Sequence, residues 1–279
     1  MNNFKLCAFT DEAGNSLEEQ ILAMKQNNIH YMEIRGVNGK NISTLTADQV
    51  KQVYSRLQSE GLEVWSIGSP IGKIGIKDNF QEHLDLFSHM LELAYILNAK
   101  SFRLFSFYIP KEERHEDYKD KVLERMSRFC EIAEGSDITL CHENEKGIYG
   151  DKPERCLDIH KALPKIRAIF DPANFVQCQV ETYSAFKLMA PYIHYMHIKD
   201  AKLDGNVVPS GMGDGKIPQL LSLYKEIGGN ILSVEPHLTI FNGLKELEKE
   251  GTSKVGVSVY PTQRLAFDAA VNALKRIII

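Results

Sequence analysis

Three short apolar segments of the chain end in the same way: ITLCHENE (residues 138–145), IRAIFDPANF (166–175) and IHYMHIKD (193–200). Each begins with the β-branched and aromatic residues typical of a buried strand, and each then changes abruptly to acidic, amide or basic side chains. The residues between the segments are enough for one helix and two turns. This pattern indicates parallel strands whose polar C-terminal ends lie at the same edge of a sheet.

The same strand–helix alternation extends along the whole chain. Ser16 with Glu19, and Thr46 with Gln49, have the spacing of capping boxes and predict helix starts after the first two strands. Eight strands are predicted, near residues 5–9, 30–34, 63–67, 101–105, 138–142, 166–170, 193–198 and 231–234. Eight such repeats without a linker predict an α/β fold, one (β/α)8 TIM barrel domain over residues 1–279, with an open doubly wound sheet as the alternative.

The composition argues against several classes of protein. The 279 residues carry 33 Lys and Arg against 37 Asp and Glu, a formal net charge of -4 at pH 7. No apolar run approaches the roughly twenty residues that a membrane-spanning helix needs. The slightly acidic balance, with charges of both signs interspersed, gives no long-range attraction to phosphate backbones or anionic lipid, so a nucleic-acid partner is disfavoured. Five cysteines without C-x-x-C spacing, and no visible signal peptide, lead us to expect a reduced, cytoplasmic protein.

Four consecutive predicted strands end in chemically reactive side chains, which are Glu143, Asp171, His197 and Glu235. Because the C-terminal ends of barrel strands converge, these four side chains can reach one point. Three carboxylates held together repel one another unless a cation lies between them. Singly, each residue is better explained by an ion pair or a helix cap. As a set, three oxygen donors and one imidazole predict a site for one divalent ion, Mn²⁺, Mg²⁺, Co²⁺ or Zn²⁺.

The strand ends also resemble those of a known family, the sugar phosphate isomerase/epimerase family of xylose isomerase-like barrels. The resemblance covers essentially the whole chain and lies in six runs: GSPIGK (68–73), RLFS (103–106), ENE (143–145), FDPANF (170–175), HIKDA (197–201) and VEPH (234–237). It implies that the metal ligands are Glu143, Asp171, His197 and Glu235. It also implies that the two glutamates move protons.

The resemblance further implies a metal-dependent isomerase or epimerase that acts on a keto sugar, or its phosphate, through a cis-enediolate. A metal on the carbonyl and adjacent hydroxyl would favour this intermediate, while the glutamates remove and return a proton on its two faces. We therefore expect a small carbohydrate substrate, no nucleic-acid or membrane partner, and an even-numbered homo-oligomer. The sequence leaves open which sugar reacts and which divalent ion is bound.

The sequence leaves three alternative functions open. A dehydratase or lyase would use the same metal site on a related polyol or keto sugar. A sugar or metal sensor would bind without reacting, although it has little need for bases on two faces. An endonuclease acting on abasic DNA, as in the endonuclease IV group, is disfavoured because Asn174 stands three residues after Asp171, where the nuclease pattern has a histidine.

Further residues are expected to contact the substrate. The candidates are Lys73, Arg103, Tyr149, Asn174, Lys199 and His237. Lys199 and His237 each follow a proposed metal ligand by two residues, so both are expected to point into the mouth of the barrel.

Most of these candidates also have an ordinary structural explanation. For Lys199 the alternative is an ion pair with Asp200 or a loop acid, and Arg103 is expected to pair with Glu33 or another acid of the rim. The alternatives for the other candidates are an exposed loop lysine at position 73, aromatic packing at position 149 and a loop cap at position 174.

The glycine-rich segment GMGDGK (211–216) places glycines before a lysine but does not match a phosphate-binding P-loop. Its frame is wrong, and Ile217 stands where a serine or threonine should bind magnesium. We predict instead a mobile loop that closes over the mouth of the barrel.

Overall fold

Eight parallel strands close into a barrel in the computed structural model, which describes residues 4–241 and 260–279. The strands are β1 (Lys5–Phe9), β2 (Tyr31–Ile34), β3 (Glu63–Ile67), β4 (Ser101–Leu104), β5 (Thr139–Glu143), β6 (Arg167–Phe170), β7 (Ile193–Ile198) and β8 (Ile231–Val234). Each strand pairs with its neighbours in the chain, and β1 also pairs with β8, with Lys5 opposite Ile231. The closed barrel is confirmed, and the open-sheet alternative is wrong.

The predicted strands are all present, with small shifts at their ends. The predicted strand at 138–142 is found at Thr139–Glu143, so Glu143 lies inside β5 and its backbone pairs with β6 at Ile169. The rigid hydrogen-bonded ladder therefore holds Glu143 directly. Asp171 and Glu235 lie one residue beyond the ends of β6 and β8.

Helices cover the outside of the barrel. They are α1 (Leu17–Gln26), α2 (Ala47–Ser59), α3 (Phe80–Ile96), α4 (Lys119–Ile132), α5 (Pro153–Ala162), α6 (Pro172–Gln177), α7 (Thr182–Met189), α8 (Ile217–Glu226) and α9 (Gln263–Ile278). Both predicted capping boxes are formed, since the Ser16 and Thr46 hydroxyls each accept the backbone N–H three residues ahead at 3.3 Å. Among the residues described, no helix combines the length and apolar character needed to cross a membrane.

The interior of the barrel changes character along its axis. Its lower part is filled by a cluster of buried side chains: Cys7, Cys141, Ile169, Tyr195 and Ile231. Cys141 is a packing residue there, one pleat below Glu143. Above this plug, toward the C-terminal ends of the strands, the inward side chains are charged. The apolar plug keeps water from reaching those charges from below.

The segment 211–216 is held against the end of β7, which differs from the predicted mobile loop. The Asp200 carboxylate accepts the backbone N–H groups of Gly211, Gly213 and Gly215 at 2.8 to 3.0 Å. A Cβ atom added to Gly215 would lie 2.6 Å from Asp200 Oδ1. The glycines therefore allow the backbone to wrap closely around one carboxylate.

The N-cap of α2 provides a test of the local fold. We expect Thr46→Ala to lower the free energy of unfolding by about 1 kcal/mol, because the mutant loses the side-chain acceptor for the Gln49 N–H. Ser55→Ala, at an exposed position inside the same helix, is the control and should cost nothing, since alanine favours helix interiors. Equal losses in urea denaturation of the two variants would contradict the capping role.

Candidate functional site

The structure brings Glu143, Asp171, His197 and Glu235 together at the C-terminal end of the barrel. One ligand atom from each residue can be chosen so that all four lie within 4.8 Å of one another. The four side chains belong to the ends of β5, β6, β7 and β8, and each residue is at most 2% exposed. Their convergence is the arrangement that the strand-end pattern predicts, while their role as metal ligands stays a prediction.

Asp171 is fixed by the start of α6 and by the end of β5. Its Oδ1 atom caps the helix by accepting the Asn174 N–H at 2.9 Å. Its backbone exchanges two 2.9 Å hydrogen bonds with the side chain of Asn144. Within the described residues, Oδ2 has no aligned hydrogen-bond donor, although Lys199 Nζ lies 2.9 Å away. This buried oxygen therefore faces the cluster, with the Lys199 ammonium group as its counter-charge.

His197 is oriented by a glutamate on the opposite side of the barrel. Its Nε2 atom lies 3.1 Å from Glu33 Oε2, and its Nδ1 atom lies 3.0 Å from Glu143 Oε1. Glu33, which is fully buried, also accepts hydrogen bonds from Tyr195 Oη at 2.9 Å and Ser233 Oγ at 2.7 Å. With Nε2–H directed at Glu33, Nδ1 is the nitrogen that faces the cluster, as in carboxylate–histidine–metal arrangements.

Lys199 points into the cluster but has partners other than those predicted. Its Nζ atom lies 2.9 Å from both Asp171 Oδ2 and Glu235 Oε2. The predicted alternative of a pair with Asp200 is wrong, because Asp200 turns away to hold the glycine-rich segment. Lys199 is therefore a buried cation between two of the proposed metal ligands.

Arg103 forms an ion pair, as expected, but its partner is Glu143 and not Glu33. The Arg103 Nη1 atom lies 3.1 Å from Glu143 Oε2 and 3.7 Å from Glu235 Oε1. Its other nitrogens donate to the carbonyl oxygens of Gly68 and Ser69. Glu33 lies deeper and is occupied by His197, so Arg103 links the segment after β3 to Glu143.

Two further sequence candidates, Lys73 and Tyr149, are both buried and both have partners within the protein. Lys73 is buried, with Nζ 3.1 Å from Glu145 Oε2 and 4.4 Å from the centre of the Phe105 ring, so it is not an exposed loop lysine. Tyr149 donates its hydroxyl to Asp158 at 2.9 Å and is 1% exposed, which favours the packing interpretation.

Asn174 has a direct link to the cluster. Its Nδ2 atom donates to Glu143 Oε1 at 3.3 Å and to the Asn144 carbonyl oxygen at 2.9 Å. It therefore helps to orient Glu143, and it occupies the position where the endonuclease pattern needs a histidine.

A second charged group lies beside the four residues, and the sequence analysis did not select it. Arg35 contacts Asp11 at 2.8 and 3.1 Å, Glu12 at 3.0 Å and Glu235 Oε1 at 3.2 Å. Its guanidinium group lies between the rings of Phe9 and Phe241, 4.6 and 4.7 Å from their centres. Polar residues directly after β1 and β2 are the sequence signal that would have found this group.

Burial and mutual charge shift the pKa values of the cluster. Burial disfavours the charged form of His197, but Glu143 and Glu33 outweigh it and raise its pKa to about 10. Burial, reinforced by Glu143 and Glu235 and opposed by Lys199, raises the pKa of Asp171 to about 6. Burial also raises the pKa of Glu12 to about 8, against the opposing charge of Arg35. These shifts are typical of a centre in which buried charges compete for too few counter-charges.

These residues fit a divalent ion. Three carboxylates and one imidazole nitrogen form a donor set suited to Mn²⁺, Mg²⁺, Co²⁺ or Zn²⁺. Asp171 Oδ2, beside Lys199 Nζ, and His197 Nδ1, beside Glu143 Oε1, both face the same space. A cation there would relieve the repulsion among the three carboxylates.

Comparison with known proteins gives one family and a set of similar folds. A sequence model of the family described as xylose isomerase-like TIM barrel matches residues 21–251. Solved structures of similar fold include the D-psicose 3-epimerase of Clostridium cellulolyticum H10 in complex with D-tagatose, at 13% identity, a TM-score of 0.75 and 98% coverage of both chains. Comparison with curated protein sequences gives no match.

Two further solved structures have different descriptions. The probable 3-DHS dehydratase AsbF of Bacillus anthracis shares 14% identity at a TM-score of 0.74, with 97% of this chain and 98% of that chain covered. The IolI protein with a binding zinc atom shares 17% identity at a TM-score of 0.74, with 98% of each chain covered. At these identities the likeness shows the fold alone. Proteins described as an epimerase and as a probable dehydratase both have this fold.

Glu33 offers a test of the proposed metal site outside the ligands themselves. We expect Glu33→Gln to weaken divalent-ion binding roughly 10- to 100-fold, because His197 would lose the carboxylate that fixes its ring and tautomer. Calorimetric titration with Mn²⁺ measures the change. Glu63→Gln, an exposed glutamate at the start of β3, is the control. Unchanged affinity in a folded Glu33 variant would contradict the positioning role.

The raised pKa of His197 predicts that metal binding releases a proton. At pH 8 the ring of the metal-free protein is protonated, since its pKa is about 10, whereas a ligand nitrogen must be unprotonated. We expect about one proton released per ion at pH 8 and less as the pH rises above 10. Calorimetric titration in buffers of different ionisation enthalpy measures the number of protons released. A binding heat at pH 8 that does not depend on the buffer would exclude proton release.

Proposed function

Because the chain belongs to the xylose isomerase-like TIM barrel family, we propose that it is a divalent-metal-dependent isomerase or epimerase of a small keto sugar. The observation that carries this proposal is the pair of buried glutamates, Glu143 and Glu235, beside two further side chains that could hold a metal ion. The strands that bear them are separated by β6 and β7, so the two carboxylates approach the cluster from different sides. A group bound between them would have one base on each face.

The two glutamates are held ready for proton transfer by their neighbours. Arg103 holds Oε2 of Glu143 at 3.1 Å, and Arg35 holds Oε1 of Glu235 at 3.2 Å. Burial acts to raise the pKa of Glu235, but the positive charges of Lys199 and Arg35 hold it well below its usual value. Glu235 therefore starts as a carboxylate, which is the form that can accept a proton.

In the proposed reaction, one glutamate removes a proton from the carbon beside the sugar carbonyl and the other supplies a proton. Return to the same carbon on the opposite face gives an epimer, and return to the neighbouring carbon gives an isomer. Glu143, Asp171, His197 and Glu235 are the proposed ligands of one ion. A divalent ion bound there would polarise the carbonyl and adjacent hydroxyl and so acidify the C–H bond.

Other buried side chains would position the sugar. Lys199 extends into the cluster beside Glu235 and can donate to a sugar oxygen. We also propose substrate contacts for Arg103, Lys73, Asn174 and His237. Tyr149 is left out, because its hydroxyl is already bonded to Asp158.

Dehydration is the second candidate, and one observation favours it. Lys199 Nζ lies 2.9 Å from Glu235 Oε2, which places a proton donor next to a base. Glu235 could remove a proton from one carbon and pass it to a hydroxyl that leaves from the next carbon as water, while Lys199 donates a hydrogen bond to that hydroxyl. The products separate the candidates, because dehydration releases water and leaves an unsaturated or deoxy-keto product, whereas epimerisation conserves the formula.

The cellular setting is part of the proposal. All five cysteines are free, which suits a reducing cytoplasm. The single-domain organisation and the even-numbered homo-oligomer stay predictions.

The proton-transfer roles predict isotope exchange. With saturating Mn²⁺ and a panel of ketoses, sugar acids and ketose phosphates in D₂O, we expect deuterium to enter a carbon next to a carbonyl of the substrate. Glu143→Gln and Glu235→Gln should each slow this exchange at least about 100-fold, since each removes a base. Proton NMR measures the exchange, and Glu92→Gln, on the exposed face of α3, is the control. Normal exchange in both metal-loaded glutamate variants would overturn the assignment.

A further inference from the structure

Glu12 and His237 form a small polar site next to the proposed metal ligands. Glu12 follows β1 and His237 follows β8, so they lie beyond the ends of neighbouring strands of the closed barrel. Ligand atoms of Glu12, Glu235 and His237 lie within 4.8 Å of one another. Glu12 is 3% exposed and His237 is 4% exposed. The site shares Glu235 with the reaction centre, so a bound molecule could reach both.

The His237 ring lacks the hydrogen bonds that a buried imidazole needs. Neither ring nitrogen has a hydrogen-bond partner within the described residues. Nε2 lies 3.3 Å from Glu12 Oε1 and 3.7 Å from Glu235 Oε1, without hydrogen-bond alignment. Leaving a buried polar group unsatisfied costs free energy, so the ring indicates a partner that residues 4–241 and 260–279 do not provide.

The backbone at His237 is held in an unusual conformation that aims this ring. Its φ angle is +46°, in the left-handed region that residues other than glycine seldom adopt. The backbone N–H donates to Glu12 Oε2 at 2.7 Å, which ties the two residues together. Phe241 packs on the ring with centroids 5.5 Å apart. Strain maintained by specific contacts is common where a side chain has a binding role.

The charges around the site favour a neutral partner over an ion. Arg35 is already paired with Asp11 through two nitrogens and with Glu12 through one, so among the described residues this guanidinium group is not left free for a phosphate or carboxylate. A second divalent ion is disfavoured because it would lie beside the positive guanidinium group of Arg35. The Nη atoms of that group are 3.0 Å from Glu12 and 3.2 Å from Glu235. A sugar hydroxyl can both donate to a carboxylate and accept from an imidazole.

We propose that Glu12 and His237 bind neighbouring hydroxyl groups of the substrate. The end of the sugar that they bind carries no phosphate, and the substrate is a neutral sugar. This inference rests on the proposed function and narrows its substrate class from keto sugars and their phosphates to neutral polyhydroxy ketones. Glu12 exchanges a hydrogen bond with one hydroxyl, and His237 exchanges a hydrogen bond with the next. Arg35 positions Glu12 and does not itself contact the sugar.

The test compares neutral sugars with their phosphate esters on the Mg²⁺-loaded protein. D-tagatose, D-fructose and their 6-phosphates are titrated while the imidazole ¹⁵N–¹H signals are followed by NMR, with the His237 signals assigned from His237→Gln. We expect a neutral ketose to shift these signals and to bind at least ten-fold more tightly than its phosphate. Glu12→Gln and His237→Gln should each weaken its binding about ten-fold or more, and His30→Gln, at an exposed position, should not.

Two outcomes would overturn the subsite. They are tighter binding of the phosphate ester, and His237 signals that no neutral sugar perturbs. The comparison on the wild-type protein needs no variant, so it stands even if a substitution impairs folding. Deuterium exchange in the same samples separates this inference from the proposed function. If deuterium enters the sugar while the His237 signals stay unperturbed, only the subsite is overturned. If the His237 signals shift but no deuterium enters the sugar, only the proton-transfer roles are contradicted.

Discussion

The structure depends on the burial of several carboxylates at one end of a barrel. Glu33, Glu143, Asp171 and Glu235 are all at most 2% exposed, and the last three converge with His197 on a common space. Removing each charge from water costs several kcal/mol unless opposite charge or hydrogen bonds replace the lost solvation. The barrel meets this cost with buried cations and aligned donors, and a divalent ion among the four converging side chains would complete the compensation.

The compensating groups have a consistent arrangement. Glu33, the deepest carboxylate, receives hydrogen bonds from a histidine, a tyrosine and a serine and needs no ion. The three carboxylates above it are contacted by Lys199 and Arg103, which also compete for the oxygens that an ion would use. Ion binding and these ion pairs are therefore coupled. Loading the centre would free part of Lys199 and Arg103 for contacts with substrate oxygens.

Local sequence signals predicted the fold and the convergence of four side chains. Strand periodicity and the capping boxes are short-range properties, and the rule that parallel strand ends meet places Glu143, Asp171, His197 and Glu235 at one point. The partners of these residues were not predictable in this way. Glu33 and His197 are 164 residues apart, and their contact depends on side-chain directions across the closed barrel. The role of Asp200 in holding the glycine-rich segment was missed for a different reason: the two are only 11 to 15 residues apart, but a loop that wraps its N–H groups around one carboxylate has no periodic pattern.

A crystal structure of the Mn²⁺-loaded protein, with anomalous scattering data, tests the central claim most directly. The account predicts one strong anomalous peak within bonding distance of Glu143, Asp171, Glu235 and Nδ1 of His197. It also predicts that Lys199 Nζ moves from its position 2.9 Å from Asp171 Oδ2. A crystal grown with excess Mn²⁺ that shows no peak in this space, with Lys199 still between the two carboxylates, would contradict it.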